Sequence, residues 1–115
     1  MAFTCKPFAA CAAALLLLAA VDAPPSLAQD AGYGLTIADG KFEPSTLQVK
    51  AGQGFKLTIT NAQKRPAEFE SHQIKREKVI PPGATAVVNV GPLKPGTYEF
   101  FDDFNPSTKG EIVAK

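Results

Sequence analysis

The sequence has little of the chemistry that small redox proteins and nucleic-acid-binding proteins use. Its 115 residues include no tryptophan, one methionine and two cysteines, and 12 Lys and Arg residues nearly balance 11 Asp and Glu residues. A formal net charge of +1 gives no electrostatic reason to expect nucleic acid as a partner. Because Met1, Cys5 and Cys11 all lie near the start, a chain that has lost this start keeps no sulfur ligand for catalysis, disulfides or metal binding.

The one long hydrophobic run covers residues 8–20. It is shorter than the roughly 20 residues that a membrane-spanning helix needs. Lys6 precedes the run, and Ser26-Leu27-Ala28 places small residues where a signal peptidase requires them. We therefore predict a cleaved secretory signal peptide over residues 1–28 and one periplasmic domain over residues 29–115 that does not span the membrane. A single membrane anchor is the alternative.

The rest of the chain alternates apolar and polar residues with a period of two. Clear examples are residues 47–50 and 55–60, and turn residues such as Pro95-Gly96 separate the alternating segments. This pattern predicts half-buried strands in an all-β Greek-key sandwich or barrel of about seven strands, with no helix of ten residues. Residues 71–78 are predicted to form a short helical turn or a loop, and residues 102–109 a polar loop.

Several segments resemble the cupredoxin superfamily over residues 33–115. The opening Phe42-Glu43-Pro44, the strand that ends at Asn61 and the hairpin Pro95-Gly96-Thr97-Tyr98-Glu99-Phe100 follow the family order. Cupredoxins of the blue-copper type bind copper through Cys, His and Met. The Cys position falls here on Asp102, so the resemblance implies the fold without a type 1 blue-copper centre.

Three further segments resemble the EfeO-type cupredoxin-like domains, periplasmic proteins that accompany bacterial high-affinity ferrous iron permeases. They are Glu68-Phe69-Glu70-Ser71, Arg76-Glu77-Lys78-Val79-Ile80 and the stretch from Gly91 to Phe104. The resemblance implies a role in iron uptake, with a copper or iron ion held by carboxylates. It also implies a membrane iron permease or another periplasmic uptake component as the partner.

Strand parity indicates where such carboxylates lie. Tyr98, Phe100 and Asp102 share one face, which puts Asp102 at a strand end aimed towards the loops. Oxygen ligands suit iron and copper(II) when several of them converge. We expect three residues to be the main metal ligands, namely Glu68, Glu70 and Asp102. Supplementary ligands are Asp103, Glu77 and His72.

Each candidate also has a simpler interpretation. Glu68 and Glu70 suit a solvated strand face, Asp102-Asp103 suits a turn, and His72, the single histidine, suits an exposed site. Three hypotheses follow: a metal-binding protein that serves iron uptake, a metal-free interaction module that docks on a membrane or periplasmic partner, and a small ferroxidase. The ferroxidase is poorly equipped, because no cluster of His, Cys and Met is present.

Overall fold

The computed structural model describes residues 31–115, and the predicted signal peptide and the start of the predicted domain lie outside them. The described residues form nine strands in two sheets, with no helix. The strands are β1 (Ala31–Ala38), β2 (Lys41–Glu43), β3 (Thr46–Val49), β4 (Phe55–Asn61), β5 (Ala67–Ser71), β6 (Arg76–Ile80), β7 (Thr85–Val90), β8 (Gly96–Asp102) and β9 (Asn105–Ala114).

The two sheets confirm the predicted all-β sandwich. One sheet has the strand order β2-β1-β4-β7 and the other has the order β3-β9-β8-β5-β6. The pairs β1–β4 and β3–β9 are parallel, and the other pairs are antiparallel. Nine strands replace the predicted seven because the short β2 and the charged β6 give no readable alternation. Residues 31–115 contain no helix that is long and apolar enough to cross a membrane.

The core lies between the sheets and is built from the apolar members of the alternating pattern. Phe100 at its centre is fully buried and packs edge-on against Phe42, with ring centroids 4.8 Å apart. Phe69 lies on its other side at 5.3 Å. Burial of each such ring stabilises the fold by about 1.5–3 kcal/mol. This aromatic cluster holds the neighbouring strands β5 and β8 together. Several acidic side chains lie on or next to these two strands.

The prediction of a short helical turn or a loop over residues 71–78 holds only for the turn at residues 72–75, because Arg76 begins the second strand of a β-hairpin. A four-residue turn follows Ser71, and β6 then pairs antiparallel with β5. Strand β6 lies at a sheet edge, so Arg76 to Val79 are all exposed and the period of two is lost. Arg76 donates from Nε to the carbonyl oxygen of Asn89 at 2.9 Å and so links this edge to the other sheet.

The predicted polar loop over residues 102–109 was wrong. Strand β8 runs through Asp102, a tight turn follows, and β9 begins at Asn105. The pairing shifts from Phe101 opposite Lys109 to Asp102 opposite Asn105. The residues left unpaired between them form a bulge that contains Pro106, a position where proline loses no ladder hydrogen bond. The bulge explains why a proline and several polar residues could be mistaken for a loop.

Candidate metal centre

Three carboxylates converge on the outer face of the five-stranded sheet. Glu68 and Glu70 lie on β5 on either side of Phe69, which is fully buried, so both glutamates point outward and are half-buried. Asp103 follows the last residue of β8 and is exposed. One oxygen atom from each of the three carboxylates lies within 4.8 Å of the other two. We call Glu68, Glu70 and Asp103 the carboxylate cluster.

The backbone holds the two sides of the cluster together. The amide of Asp103 donates to the carbonyl oxygen of Glu68 at 2.9 Å. The amide of Glu68 in turn donates to Oδ1 of Asp102 at 2.9 Å, and the amide of Phe104 donates to the same oxygen at 3.0 Å. The structure therefore does not bring Asp102 into the cluster: this side chain is 1% exposed and is directed inward.

The other two predicted site residues flank the cluster. Glu77 is exposed and lies directly opposite Glu70 in the β5–β6 pair. His72 lies in the hairpin turn, with Nδ1 3.5 Å from Oε1 of Glu70. The His72 ring packs against Phe101, with centroids 5.3 Å apart. Both residues border Glu70, but neither belongs to the group of three converging carboxylates.

The surroundings of Glu68 disfavour its ionised form in the absence of a cation. The pKa of Glu68 is raised above its ordinary value of 4.5, chiefly because partial burial removes solvent and then because Asp103 and other nearby acidic groups repel a negative charge. Within residues 31–115, none of the three carboxylates forms a salt bridge with Lys or Arg. A bound cation would relieve this repulsion.

Strand parity separates the two neighbouring aspartates. Asp103 has the parity of Glu99 and Phe101, and Phe101 lies opposite Glu70 in the β5–β8 pair. Asp102 has the parity of the buried Phe100 and therefore points to the interior. Parity puts Asp103 on the outer face with Glu70 when the strand geometry continues to residue 103, and the point where β8 ends is set by long-range pairing.

The arrangement can hold a hard or borderline cation. Oxygens separated by up to 4.8 Å match opposite sides of a coordination sphere whose metal–oxygen bonds are roughly 2.0–2.6 Å. The donors are all carboxylate oxygens, and the sequence provides no cysteine or methionine within residues 31–115. Such a set suits Fe²⁺, Mn²⁺ or Cu²⁺ better than Cu⁺, which prefers sulfur. The open side of the centre leaves further coordination positions to water or to another molecule.

The raised pKa of Glu68 predicts that the stabilities of the parent and of a Glu68→Gln variant differ in a pH-dependent way. The folded, metal-free protein binds the proton of the Glu68 carboxyl group more tightly than the unfolded chain does. The contribution of this group to stability is therefore fully present below pH 4.5 and is lost as pH rises through the raised pKa. We expect Glu68→Gln to melt at a higher temperature than the parent at neutral pH, and the difference to vanish in acid. Thermal melts over a pH series in chelator check this result.

The exposed Glu43→Gln is the control for the loss of one carboxylate. A Glu68→Gln variant that is less stable than the parent at neutral pH would contradict the expected sign. Addition of a tightly bound cation is expected to make the parent melt at a higher temperature than Glu68→Gln, because the cation stabilises only the folded protein that still has the Glu68 carboxylate.

Comparisons with known proteins agree with this architecture. Residues 9–114 match the family described as "Cupredoxin-like domain". An uncharacterized protein of Rickettsia prowazekii (strain Madrid E) is 42% identical over 80 residues, which are 69% of this chain and 64% of that protein. This chain therefore matches somewhat less than two thirds of the length of that curated relative.

Solved structures show the same fold at low sequence identity. The metal-binding domain of the Streptococcus pneumoniae D39 Cu(I)-exporting P-type ATPase, solved with Cu(I), aligns with a TM-score of 0.66 and 16% identity over 73% of this chain and 84% of that one. Amicyanin from Paracoccus versutus aligns with a TM-score of 0.59 and 16% identity over 82% and 86% of the two chains. On the family match and the shared architecture, the chain belongs to the cupredoxin-like domain family.

Proposed function

We propose that this protein is a periplasmic metal-binding component of ferrous iron uptake that holds its ion through the carboxylate cluster. The single observation that carries the proposal is the convergence of Glu68, Glu70 and Asp103 within 4.8 Å. The ion is cargo, taken from the periplasm and passed to a membrane iron permease or to another uptake component. The predicted signal peptide supports the location, since export would place the domain in that compartment.

The choice of iron rests on donor chemistry and on sequence resemblance. The structurally similar pneumococcal domain was solved with Cu(I). Cu(I) favours thiolate and thioether ligands, and residues 31–115 contain no cysteine or methionine. Carboxylate oxygens bind both Fe²⁺ and Cu²⁺, and Cu²⁺ more strongly, so the donor set argues against Cu(I) and the sequence resemblance makes the choice of iron. The segments around Glu68 and Asp103 resemble EfeO-type domains, which supports ferrous iron as the physiological ion and Cu²⁺ as an alternative.

The openness of the site supports a carrier function. Glu68 and Glu70 are half-buried and Asp103 is exposed, so the ion would be held on a surface and not enclosed in a cage. A cation with three protein ligands keeps water in its remaining positions, and donors from a partner can replace that water. Hand-over of the ion then needs no unfolding of the domain.

An anaerobic titration with Fe²⁺, and separately with Cu²⁺, tests the proposal. We expect the parent to bind one ion and the Glu68→Gln/Glu70→Gln/Asp103→Asn variant to lose at least about 100-fold in affinity, more than the loss of an outer-shell partner costs. Competition with a chromophoric chelator measures the dissociation constant. Circular dichroism verifies that the variant is folded.

A matched control removes the same charge elsewhere. The variant Asp39→Asn/Glu43→Gln/Glu111→Gln carries the same three types of change outside the cluster and is expected to bind like the parent. Equal weakening of binding in both triple variants would mean that the ion is attracted non-specifically by acidic groups anywhere on the surface. No binding by the parent would refute the metal centre. In cells, failure of only the cluster variant to restore ferrous iron uptake to a deletion strain would support the transport function.

A metal-free docking module is the second candidate, and surface hydrophobicity favours it. Of the three large hydrophobic residues that are exposed within residues 31–115, two adjoin the cluster: Val79, 51% exposed, lies opposite Glu68, and Phe104, 53% exposed, follows Asp103. Exposed apolar side chains beside a polar centre are typical of contact surfaces. Retained uptake in a strain that carries the cluster variant, together with no metal binding by the parent, would favour this function.

A further inference from the structure

We propose that Asp102 is a positioning residue of the metal centre: its buried carboxylate fixes the distance between Glu68 and Asp103 without binding the ion. The inference rests on the proposed metal-binding function of the carboxylate cluster. It assigns two separate tasks to the Asp-Asp pair, with Asp102 directed to the interior and Asp103 directed to the ion.

Three hydrogen bonds carry the inference. Oδ1 of Asp102 accepts from the amide of Glu68 at 2.9 Å and from the amide of Phe104 at 3.0 Å. The carbonyl oxygen of Glu68 accepts from the amide of Asp103 at 2.9 Å. Glu68 is thus held through both its amide and its carbonyl group by the turn that carries Asp103. We call these three bonds the Asp102 clamp.

The clamp joins two segments that are distant in sequence, at the point where their strand pairing ends. In the β5–β8 pairing, the matched positions are Phe69 with Asp102 and Glu70 with Phe101. Glu68 lies beyond the last of these pairs, where the side chain of Asp102 and the turn amides continue the contact. Without the Asp102 carboxylate, the amides of Glu68 and Phe104 lose a charge-assisted partner, and of the three clamp bonds only the one from the Asp103 amide remains.

Burial separates the function of Asp102 from that of a ligand. Its side chain is 1% exposed, whereas Asp103 is exposed and the two glutamates are half-buried. A carboxylate that is directed inward and whose Oδ1 accepts two amide protons is suited to orient the backbone. An ion at the outer face is served by the residue with the opposite parity, Asp103.

Two substitutions at one position distinguish positioning from ligation. Asp102→Asn keeps an oxygen that can accept both amide protons but removes the charge that a ligand needs. Asp102→Ala removes the acceptor itself. We expect Asp102→Asn to bind Mn²⁺, a redox-stable probe for carboxylate sites, within about threefold of the parent, and Asp102→Ala to lose about 10- to 100-fold, the usual cost of losing an outer-shell partner.

The measurements are Mn²⁺ and anaerobic Fe²⁺ titrations of the full chain, with amide hydrogen exchange of Glu68 and Phe104 as a metal-independent readout. Protection of both amides is expected to persist in Asp102→Asn and to fall in Asp102→Ala. Asp39→Asn, the same change in an exposed turn, calibrates the effect of charge alone. The asparagine variant also keeps the test informative if the alanine variant does not fold.

The outcomes separate this inference from the proposed function. Asp102→Asn that binds as weakly as Asp102→Ala while its amides stay protected would make Asp102 a ligand and overturn the inference. Unchanged exchange and affinity in Asp102→Ala would overturn it as well, while the metal centre itself would stand. No Mn²⁺ or Fe²⁺ binding by the parent would refute the proposed function, and the assignment of Asp102 to a metal centre would fall with it.

Discussion

Gly110→Ala is expected to destabilise this protein strongly, although it adds only one methyl group. Gly110 lies on β9 directly opposite Phe100. A Cβ atom at this position would lie 2.6 Å from Cε2 of Phe100, closer still to its Cζ, and 2.8 Å from the carbonyl oxygen of Ser45. Contacts this short do not occur in folded proteins, so the ring or the backbone must move.

Neither neighbour can move at low cost. The Phe100 ring is fully buried between Phe42 and Phe69, and the Ser45 carbonyl oxygen accepts the amide of Glu111 at 2.8 Å. Overpacking of a rigid core costs about 1–3 kcal/mol or more, and we expect a value near the upper end. For a domain of this size, about 3 kcal/mol lowers the melting temperature by roughly 12–24 °C.

Thermal and urea unfolding measure the effect, and Gly32→Ala is the matched control. A Cβ atom at Gly32, on β1, meets no heavy atom within 4 Å. That variant is expected to stay within about 0.5 kcal/mol of the parent. The Gly110→Ala/Phe100→Leu double variant should lose less than the sum of its single changes, because the smaller side chain gives the methyl group room. A Gly110→Ala protein as stable as the parent would show that the strands can separate here.

The sequence was most informative where a strand has one buried face and one exposed face. Residues 47–50 and 55–60 alternate clearly, and the burial in β3 and β4 has the predicted parity. Strand β6 escaped prediction because an edge strand presents charges on both faces, which removes the alternation. No local pattern specifies an edge, since being at an edge is a property of the whole sheet.

The candidate site was predictable in part for a related physical reason. The outward direction of Glu68 and Glu70 follows from the buried Phe69 between them, and local sequence contains this information. The choice between Asp102 and Asp103 depends on where β8 ends and on which amides the turn presents, and both depend on long-range pairing. The cluster joins β5 to the end of β8, so its 4.8 Å geometry emerges only when these segments pair.

Asn61→Asp is expected to release the hairpin that carries Glu68 and Glu70, although it changes one amide group to a carboxylate of nearly the same shape. Asn61 is fully buried at the end of β4. Its Nδ2 donates to the carbonyl oxygen of Arg65 at 2.8 Å and to that of Ile80 at 3.0 Å. These two carbonyls lie at the open end of the β5–β6 hairpin, one before β5 and the other at the end of β6.

The substitution replaces the donor with an acceptor. A carboxylate oxygen would then face two or three carbonyl oxygens, because the carbonyl oxygen of Pro81 also lies 3.4 Å from Nδ2. Loss of the donor removes the buried hydrogen bond to the Ile80 carbonyl oxygen and the part-buried one to Arg65, at about 1–3 kcal/mol for a buried group left unpaired, and burial of an unpaired charge adds to this cost. We expect a total loss of at least about 3 kcal/mol in the free energy of unfolding at neutral pH, on the scale of a broken buried polar network.

Urea unfolding at several pH values measures the loss and its sign. The introduced carboxyl group can regain one donor when it is protonated, so burial raises its pKa and the destabilisation should shrink as pH falls. Asn89→Asp, at an exposed position on β7, is the matched control and is expected to stay within about 0.5 kcal/mol. If Asn61→Asp unfolds like the parent but binds metal more weakly, the Asn61 network serves to orient the hairpin more than to stabilise the domain. Equal losses in the free energy of unfolding and in the free energy of metal binding would instead show that the hairpin and the core unfold as one unit. The rigidity of the proposed metal centre would then depend on the buried hydrogen bonds of Asn61.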